Sequence, residues 1–345
     1  MNPSREYLQA CSIQTGYQMT PLEKVVRLGE MAGDITRHPF LGKVLVLKGG
    51  TVLNLCFESP KRLSVDLDYN YIGNLEREKM LEDRPRVEEA ICELSRRRGY
   101  RPQRSAESFA GRKIFLSYRS VMGQDDRIEV DLNYIFRMPL VEPEIRELWQ
   151  PGELDRVKVH VVGLEELLVG KLIALLDRAA ARDVWDVVNL STETMKVVGS
   201  RPFRSRFIAL SAILDHPLPT YTKDRMKSIL TDRALTENLA PMLASLGPLR
   251  PADLVDRAWS VVEQFLPLEP KEAEYIANMQ RGKLLPQLVF SAGSEDARKI
   301  AEHPAMLWKV LNVRDHFRKQ GKKETKRGTQ GDVKKEGTLS SRCQE

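Results

Sequence analysis

The chain has 345 residues and a formal net charge of +6, with 42% hydrophobic and 30% charged residues. This length predicts two domains, and the composition is typical of a soluble globular protein. No apolar run approaches the roughly 20 residues that cross a bilayer, and the N-terminus lacks the apolar core of a signal peptide, so we expect a cytoplasmic protein that does not contact a membrane.

The first 160 residues combine helical and strand patterns. Helical spacing of apolar residues predicts a helix over 21–37, and Pro21 suits its first turn. Residues 64–72 alternate polar and apolar side chains, which predicts a strand. The other elements predicted here are a buried strand at 43–48, a helix at 84–98, a hairpin of strands at 113–120 and 127–135, and a short strand at 157–162.

The rest of the chain is predicted to be mainly helical. The first helices are predicted at 164–178 and 182–190, and helical spacing continues to about 312. Proline-containing turns interrupt it at 217–219, 248–251 and 267–270. Three prolines between 139 and 151 indicate a connection between domains. We therefore expect an α+β protein, with a mixed sheet and flanking helices over 1–150 and a mainly helical domain over 151–317.

The C-terminal tail carries most of the net charge. Residues 314–345 contain ten Lys or Arg and five Asp or Glu, so they contribute 10 − 5 = +5 of the total of +6. With hardly an apolar residue after 317, the segment 318–345 is predicted to be disordered. A basic tail could contact nucleic-acid phosphates, although a solubilising or dispensable end is the simpler interpretation.

Three aspartates on two predicted strands could form a metal-dependent reaction centre. Asp66 and Asp68 are two residues apart, so both side chains leave the same face of their strand. Asp131 lies on the polar face of the strand at 127–135. If the two strands are neighbours, the carboxylates converge, as a site with two metal ions roughly 3.5–4 Å apart requires. An isolated Asp-x-Asp favours a solvated strand face instead. The choice between that interpretation and a metal site therefore depends on the flanking residues.

A glycine pair precedes these aspartates. Gly49-Gly50-Thr51 stands where a predicted strand ends and a helix begins. Glycines at such a point let a phosphate approach the backbone, and the free N–H groups of a helix start favour an anion. On its own the tripeptide favours an ordinary strand-to-helix turn. Its combination with residues 62–68 on the next strand is more specific.

The first helix of the second half adds cations. Lys171 and Arg178 are seven residues apart and therefore share a face, from which they could hold a triphosphate. Arg182, Asp183 and Asp186 follow at once. Taken alone, this cluster favours a solvated helix face on which Asp183 or Asp186 pairs with Arg178 or Arg182.

Together these elements resemble the AbiEii/MenT family of nucleotidyltransferase toxins, within the DNA polymerase β-like superfamily. The resemblance covers about residues 40–190. The residues that carry it are Lys48-Gly49-Gly50-Thr51, Arg62-Leu63-Ser64-Val65-Asp66-Leu67-Asp68, Asp131, Lys171-Leu172-Ile173-Ala174-Leu175, Arg178 and Arg182-Asp183-Val184-Trp185-Asp186. Tyr69-Asn70 departs from the family, which often has an aromatic and then an apolar residue there.

The resemblance implies a nucleotidyltransferase-like sheet and assigns roles to the acidic residues. Asp66 and Asp68 would hold two Mg²⁺ ions, and Asp131 would be a metal ligand and base for the incoming hydroxyl. Asp186, or Asp183, would orient the nucleotide or Lys171. The residues assigned to catalysis are Asp66, Asp68, Asp131, Lys171 and Asp186.

The resemblance also implies a nucleotide-binding set. It consists of Gly49, Gly50, Thr51, Ser64, Lys171, Arg178 and Asp183. Lys171 would grip the triphosphate of the NTP. Ser64, beside the metal site, is the position at which an antitoxin could modify such a toxin. No residue of these motifs indicates which base is preferred.

The implied activity is transfer of NMP from an NTP to a hydroxyl acceptor. Some family members modify the 3′ end of tRNA, so tRNA or another RNA is the expected acceptor and a cognate antitoxin the expected partner, within a bacterial toxin–antitoxin or phage-abortive system. One alternative is transfer to a protein or small-molecule hydroxyl. Others are a catalytically silent RNA- or protein-binding module on the same fold and a structural helical adaptor.

Overall fold

The computed structural model describes residues 3–245, 247 and 250–333, with side chains described as far as residue 319. Within this part the chain forms a seven-stranded mixed sheet flanked by helices, which confirms the α+β class. The strands are β1 (Leu45–Lys48), β2 (Asp66–Tyr71), β3 (Arg101–Arg104), β4 (Gly111–Arg119), β5 (Asp125–Asn133), β6 (Glu144–Leu148) and β7 (Val157–Val161). The helices of the first half are α1 (Arg5–Thr15), α2 (Met19–Arg37), α3 (Leu41–Val44), α4 (Gly49–Val52) and α5 (Arg77–Arg97).

The strands lie in the order β3-β4-β5-β2-β1-β7-β6. β2 pairs parallel with β5 and antiparallel with β1, while β4 and β5 form an antiparallel hairpin. β7 pairs parallel with β1, and β6 covers that edge by pairing with β7. The predicted strands at 64–72 and 127–135 are therefore neighbours, and the predicted hairpin is confirmed.

One face of the sheet packs its apolar residues against α2 and α5. Leu67 is buried in this core. Tyr118 of β4 lies beneath Arg27 of α2, whose guanidinium carbon is 4.0 Å from the ring centroid. Tyr71 donates a hydrogen bond of 2.6 Å to Asp83 of α5. Because side chains alternate along a strand, the polar residues of β2 project from the opposite face.

The second half is helical, as predicted. Its helices are α6 (Leu164–Arg178), α7 (Ala181–Val188), α8 (Thr192–Val198), α9 (Arg201–Ser211), α10 (Lys223–Ile229), α11 (Asp232–Asn238), α12 (Pro251–Glu263), α13 (Pro270–Met279), α14 (Glu295–Glu302) and α15 (Pro304–Val333). The last two return to the sheet. Lys299 donates to the Leu140 carbonyl oxygen at 3.2 Å, and the His303 and Phe136 rings meet edge-on with centroids 5.5 Å apart.

Several element boundaries differ from the predictions. The strand predicted at 43–48 begins at Leu45 because α3 occupies the preceding residues. The helix predicted to start at 84 begins at Arg77 and accommodates Pro85 in its interior. β6 lies in the proline-rich stretch predicted to be a connection. This strand is at the edge of the sheet and mostly exposed, so its sequence lacks the apolar alternation of an inner strand.

The last helix extends into the tail that the sequence predicts to be disordered. α15 continues to Val333, past the predicted start of disorder at 318, and the Lys, Arg and Glu residues there favour helix. Residues 334–345 lie outside the described residues.

The division at 150/151 remains a prediction, although β7, which follows that point, belongs to the same sheet as β1. Within the described part, no helix is both long and apolar enough to span a bilayer.

Candidate active site

A row of four charged residues crosses the polar face of the sheet. Lys48, Asp68, Asp131 and Lys113 occupy aligned positions on β1, β2, β5 and β4. Aligned residues of neighbouring strands project to the same face, so the two carboxylates stand side by side between two ammonium groups. Lys113 Nζ lies 3.3 Å from Asp131 Oδ2. The structure therefore brings together the two strand aspartates that the sequence could link only conditionally.

Asp66 joins them from the same face of β2. Its side chain is 37% exposed, and its Oδ2 is 3.3 Å from Arg182 of α7. The hydroxyl of Thr51 donates to the Asp66 carbonyl oxygen at 2.5 Å, which ties α4 to the start of β2. Thr51 is buried and its hydroxyl is engaged within the protein, and its role in nucleotide binding stays a prediction.

The two glycines of α4 allow a close approach of side chains. Gly49 has a φ of 78°, and a Cβ there would lie 2.3 Å from Asp68 Oδ2. A Cβ on Gly50 would lie 2.6 Å from an Arg62 guanidinium nitrogen and 3.1 Å from Ser64 Oγ. Both positions therefore exclude a side chain for reasons internal to the fold. Both glycines also line the cleft described below, so a ligand can reach their backbone.

Burial and neighbouring charges shift the pKa values of two residues of this row, Asp68 and Lys48. Burial raises the pKa of Asp68, and its neighbours Asp66 and Asp131 raise it further, while Lys48 opposes the change. Burial lowers the pKa of Lys48, which Asp68, Asp131 and Glu166 partly offset. Two adjacent carboxylates in a buried setting repel each other, so this face favours an additional cation.

Five charged residues form a second group, which we term the buried ion network: Arg62, Lys171, Arg178, Asp183 and Asp186. Asp186 accepts from Arg62 Nε at 2.7 Å and from a terminal nitrogen at 2.8 Å. Lys171 Nζ lies 2.8 Å from Asp186 Oδ2 and donates to Asp183 Oδ1 at 3.0 Å. Arg178 completes the group by donating to Asp183 at 2.6 Å.

The contacts of this network define what its members can do. Both oxygens of Asp186 and both oxygens of Asp183 contact cationic side chains. These aspartates therefore position the Lys and Arg side chains around them. Burial lowers the pKa of Lys171, but Asp186 and Asp183 outweigh it and the net shift is upward, which keeps the ammonium charged. With three cations and two anions, 3 − 2 = +1, the network favours an anionic ligand.

A cleft of about 320 Å³ lies between the polar face of the sheet and α6. Lys48, Gly49, Gly50 and Asp68 line it from the sheet side, and Lys171 and Arg178 line it from α6. Of the predicted set, the residues that do not line this cleft are Thr51, Ser64, Asp66, Asp131, Asp183 and Asp186. Asp131 lies at a neighbouring depression of about 350 Å³ that Lys113 and Arg112 also line. The pair Asp68 and Asp131 thus stands between two cavities.

Sequence reasoning missed three polar residues here. The motifs contain Lys48 and Arg62 but assign them no role, and Glu166 lies outside the motifs. Glu166 lines the cleft and accepts from the backbone N–H groups of Leu140 and Val141, at 2.7 and 3.2 Å. Burial raises its pKa to about 6. A lone Glu in the first turn of a helix gives no sequence signal of this kind.

Ser64 is buried, with 4% of its surface exposed, beside Gly50. It lies two residues before the first residue of β2. An enzyme that modifies this hydroxyl needs the surrounding segment to open. The role suggested for Ser64 stays a prediction.

The carboxylates suit hard cations such as Mg²⁺, which bind oxygen ligands. Asp68 has no ion pair or hydrogen bond among the described side chains, and its neighbours repel it, so a divalent ion would relieve both conditions. Asp66 and Asp131 are turned toward Arg182 and Lys113. Accordingly, no group of three His, Cys, Asp or Glu in the described part is drawn together as a ligand cluster. Modest side-chain rotations would release both aspartates from these exposed partners.

A mixed sheet with carboxylates on adjacent strands, beside a cationic cleft, has the features that phosphoryl transfer requires. These features define a nucleotidyltransferase. The sequence profile described as "Nucleotidyl transferase AbiEii toxin, Type IV TA system" matches residues 34–264, more than half of the chain. The chain therefore belongs to the AbiEii family of nucleotidyltransferase toxins of type IV toxin–antitoxin systems.

The solved structures include one of similar fold. MenT4, a nucleotidyltransferase toxin from Mycobacterium tuberculosis H37Rv, matches 87% of this chain and 98% of its own, with a TM-score of 0.58 and 16% sequence identity. At this identity the match shows a shared fold. None of the curated proteins matches the sequence.

Proposed function

We propose that the protein transfers a nucleoside monophosphate from an NTP to a hydroxyl group of RNA, with the 3′ end of tRNA as the acceptor. The observation that carries the proposal is the placement of Asp68 and Asp131 on paired strands, between two cavities. One cavity has the cations that suit a triphosphate. The other contains Lys113 and Arg112, which suit the phosphates of an incoming nucleic acid.

Mg²⁺ is the proposed cofactor, held by Asp66, Asp68 and Asp131. When bound, it would supply charge neutralisation at the phosphoryl group being transferred. The residues of the chain then have the task of holding the two substrates in line. Because phosphoryl transfer is catalysed mainly by positioning and electrostatics, fixed side chains matter more than covalent chemistry.

Lys171 and Arg178 are the proposed ligands of the NTP triphosphate. An ammonium group has three N–H donors, and Asp183 and Asp186 engage two sides of Lys171. The remaining donor is available to the cleft that Lys171 lines. Asp183 and Asp186 act as positioning residues, since each fixes the ammonium without lining the cleft.

The proposed reaction is a single displacement. The acceptor hydroxyl oxygen forms a bond to the α-phosphorus of the NTP, and the bond between that phosphorus and the bridging oxygen to the β-phosphate breaks. Pyrophosphate leaves with the electron pair. The hydroxyl proton passes to Asp131, which faces the acceptor-side depression.

The test uses purified protein with Mg²⁺, total tRNA and each of the four NTPs labelled at the α-phosphate. We expect label on tRNA with the wild type and none with Asp68→Asn. Asp125→Asn is the matched control, because Asp125 is an exposed residue of the same sheet, on β5, and its ion pairs within the described residues are with surface arginines. It should transfer label at the wild-type rate.

The alternatives are outcomes of the same experiment. Label on the protein itself or on a small molecule would replace the RNA acceptor. RNA binding without label or pyrophosphate would favour a silent binding module. We also propose, from the type IV toxin–antitoxin family, that a cognate antitoxin is the partner that limits this activity in the cell.

A further inference from the structure

The cleft has a part that the proposed transfer does not use. Besides its charged residues, it is lined by apolar side chains from α6, from α9 and from the segments that follow β5, β7 and α9. These side chains are Phe136, Val162, Leu167, Ile173, Leu210 and Ile213. A triphosphate does not need an apolar wall. A planar, largely apolar ring does, and ligand sites commonly combine such walls with a few polar groups.

The helix that forms one wall lacks bulk where the cleft is open. Gly170 lies in the interior of α6, where glycine is less favourable than alanine. A Cβ added at Gly170 would meet no atom within 4 Å, so open space lies over it. Ala174, one turn later, lines the cleft from the same face. These two positions leave a flat strip of helix, with Phe136 also on the cleft wall.

A buried polar residue lines the same space. Asn70 lies two residues after Asp68 on the same face of β2, and it lines the cleft. Only 4% of its surface is exposed, and its Oδ1 has no hydrogen-bond partner among the described residues. An unpaired buried amide oxygen is costly, so its retention needs an explanation, and the cleft that Asn70 lines has room for a ligand. An amide offers a donor and an acceptor side by side, as a base edge requires.

We propose that the slot formed by Asn70, Phe136, Gly170 and Ala174 receives the base of the NTP, and that Asn70 selects among the four bases. This inference rests on the proposed nucleotidyl transfer and names the part of the substrate that the transfer chemistry leaves undefined. The base lies along Gly170 and Ala174 with its edge toward the amide. The triphosphate then extends toward Lys171 and Asp68.

The first test measures binding, so it does not depend on turnover. Wild type, Gly170→Ala and Gly170→Leu are titrated with each NTP and with inorganic tripolyphosphate, all with Mg²⁺. The open space over Gly170 accommodates the Cβ of either side chain without a clash. We expect NTP affinity to fall at least roughly tenfold in Gly170→Leu and less in Gly170→Ala. Tripolyphosphate affinity should be unchanged, because that ligand has no base.

Equal NTP affinity in wild type and Gly170→Leu would overturn the slot while leaving the transfer reaction intact. Failure of wild type to bind any NTP would instead overturn the proposed function and the slot with it. A loss of both ligands in Gly170→Leu would place the triphosphate over Gly170 and so also contradict the proposal.

The second test addresses selection. Asn70→Ala removes an amide whose Oδ1 makes no hydrogen bond, so the fold loses little. We expect the ratio of kcat/KM between the best and the worst NTP to shrink roughly tenfold or more, as for loss of a bidentate base contact. An unchanged ratio, or a wild type without preference, would overturn the role of Asn70.

Discussion

Asp186 is the residue on which the buried ion network depends. Its carboxylate is fully buried and binds Arg62, Lys171 and the Asn54 amide, the last at 3.0 Å. Asp186→Ala would leave the Arg62 guanidinium, itself 2% exposed, without a counter-ion. Asp186→Asn keeps the shape of the side chain and removes only the charge. The two variants together separate packing from electrostatics.

The expected magnitude follows from burial. Removing one partner of a buried ion pair costs about 3–5 kcal/mol, because the other charge stays desolvated and unpaired. Arg178→Ala is the comparison, since the Arg178 side chain is 64% exposed although it contacts the same network. Exposed pairs contribute about 0–1 kcal/mol. We therefore expect Asp186→Ala to lower the free energy of unfolding several times more than Arg178→Ala does.

Urea unfolding at pH 7, followed by circular dichroism, measures the free energies of unfolding of Asp186→Ala and Arg178→Ala beside that of the wild type. The surrounding cations lower the pKa of Asp186 and of Asp183 below the ordinary 3.8. The stabilisation is thus complete above that value and is lost as the pH falls through the lower folded-state pKa. The difference in free energy of unfolding between wild type and Asp186→Ala should stay constant from pH 5 to 8 and become smaller in acid. If the free energies of unfolding of Asp186→Ala and Arg178→Ala both lie within about 1 kcal/mol of the wild-type value, this account of the network is wrong.

Three further predictions concern Gly49, Glu166 and the proposed metal ion. Gly49→Ala should destabilise the protein by at least about 1 kcal/mol more than Gly99→Ala in urea melts, because both glycines have positive φ but only Gly49 abuts Asp68. Glu166→Gln should change the pH dependence of stability: the pKa of Glu166 is raised from 4.5 to about 6, so ionisation costs the fold up to about 2 kcal/mol as the pH rises through that interval. The variant lacks this loss, and parallel profiles for the two proteins would be inconsistent with a buried carboxyl. Chelation with EDTA should abolish transfer of label to RNA and added Mg²⁺ should restore it, whereas activity that survives chelation would exclude the metal-bound role of Asp66 and Asp68.

The sequence predicted those parts of the fold whose patterns are local. Alternation along 64–72 and 127–135 is sufficient to identify β2 and β5, because each strand has one buried and one polar face. It does not determine which strands pair. That the two are parallel neighbours, with Asp68 opposite Asp131, depends on contacts distant in sequence. Edge strand β6 was missed because an exposed strand needs no apolar periodicity.

The candidate site likewise has a part that local motifs predict and a part that depends on contacts distant in sequence. The motifs predict roles for Asp66, Asp68 and Lys171, since their residue types and spacing are typical of the chemistry. Their partners could not be assigned from spacing, because Arg62 reaches Asp186 across 124 residues of chain. Asn70 and Glu166 stand out only through their burial in the fold. A polar residue becomes noteworthy only when the fold removes it from water.

The acceptor hydroxyl is the point at which the proposed function is tested most directly. We would compare intact tRNA with tRNA whose 3′-terminal diol has been oxidised by periodate, each incubated with wild-type protein, Mg²⁺ and α-labelled NTPs. The proposal predicts label on intact tRNA only, with release of one pyrophosphate for each label transferred. Equal labelling of both RNAs, or pyrophosphate release that is independent of RNA, would contradict transfer to the 3′ end.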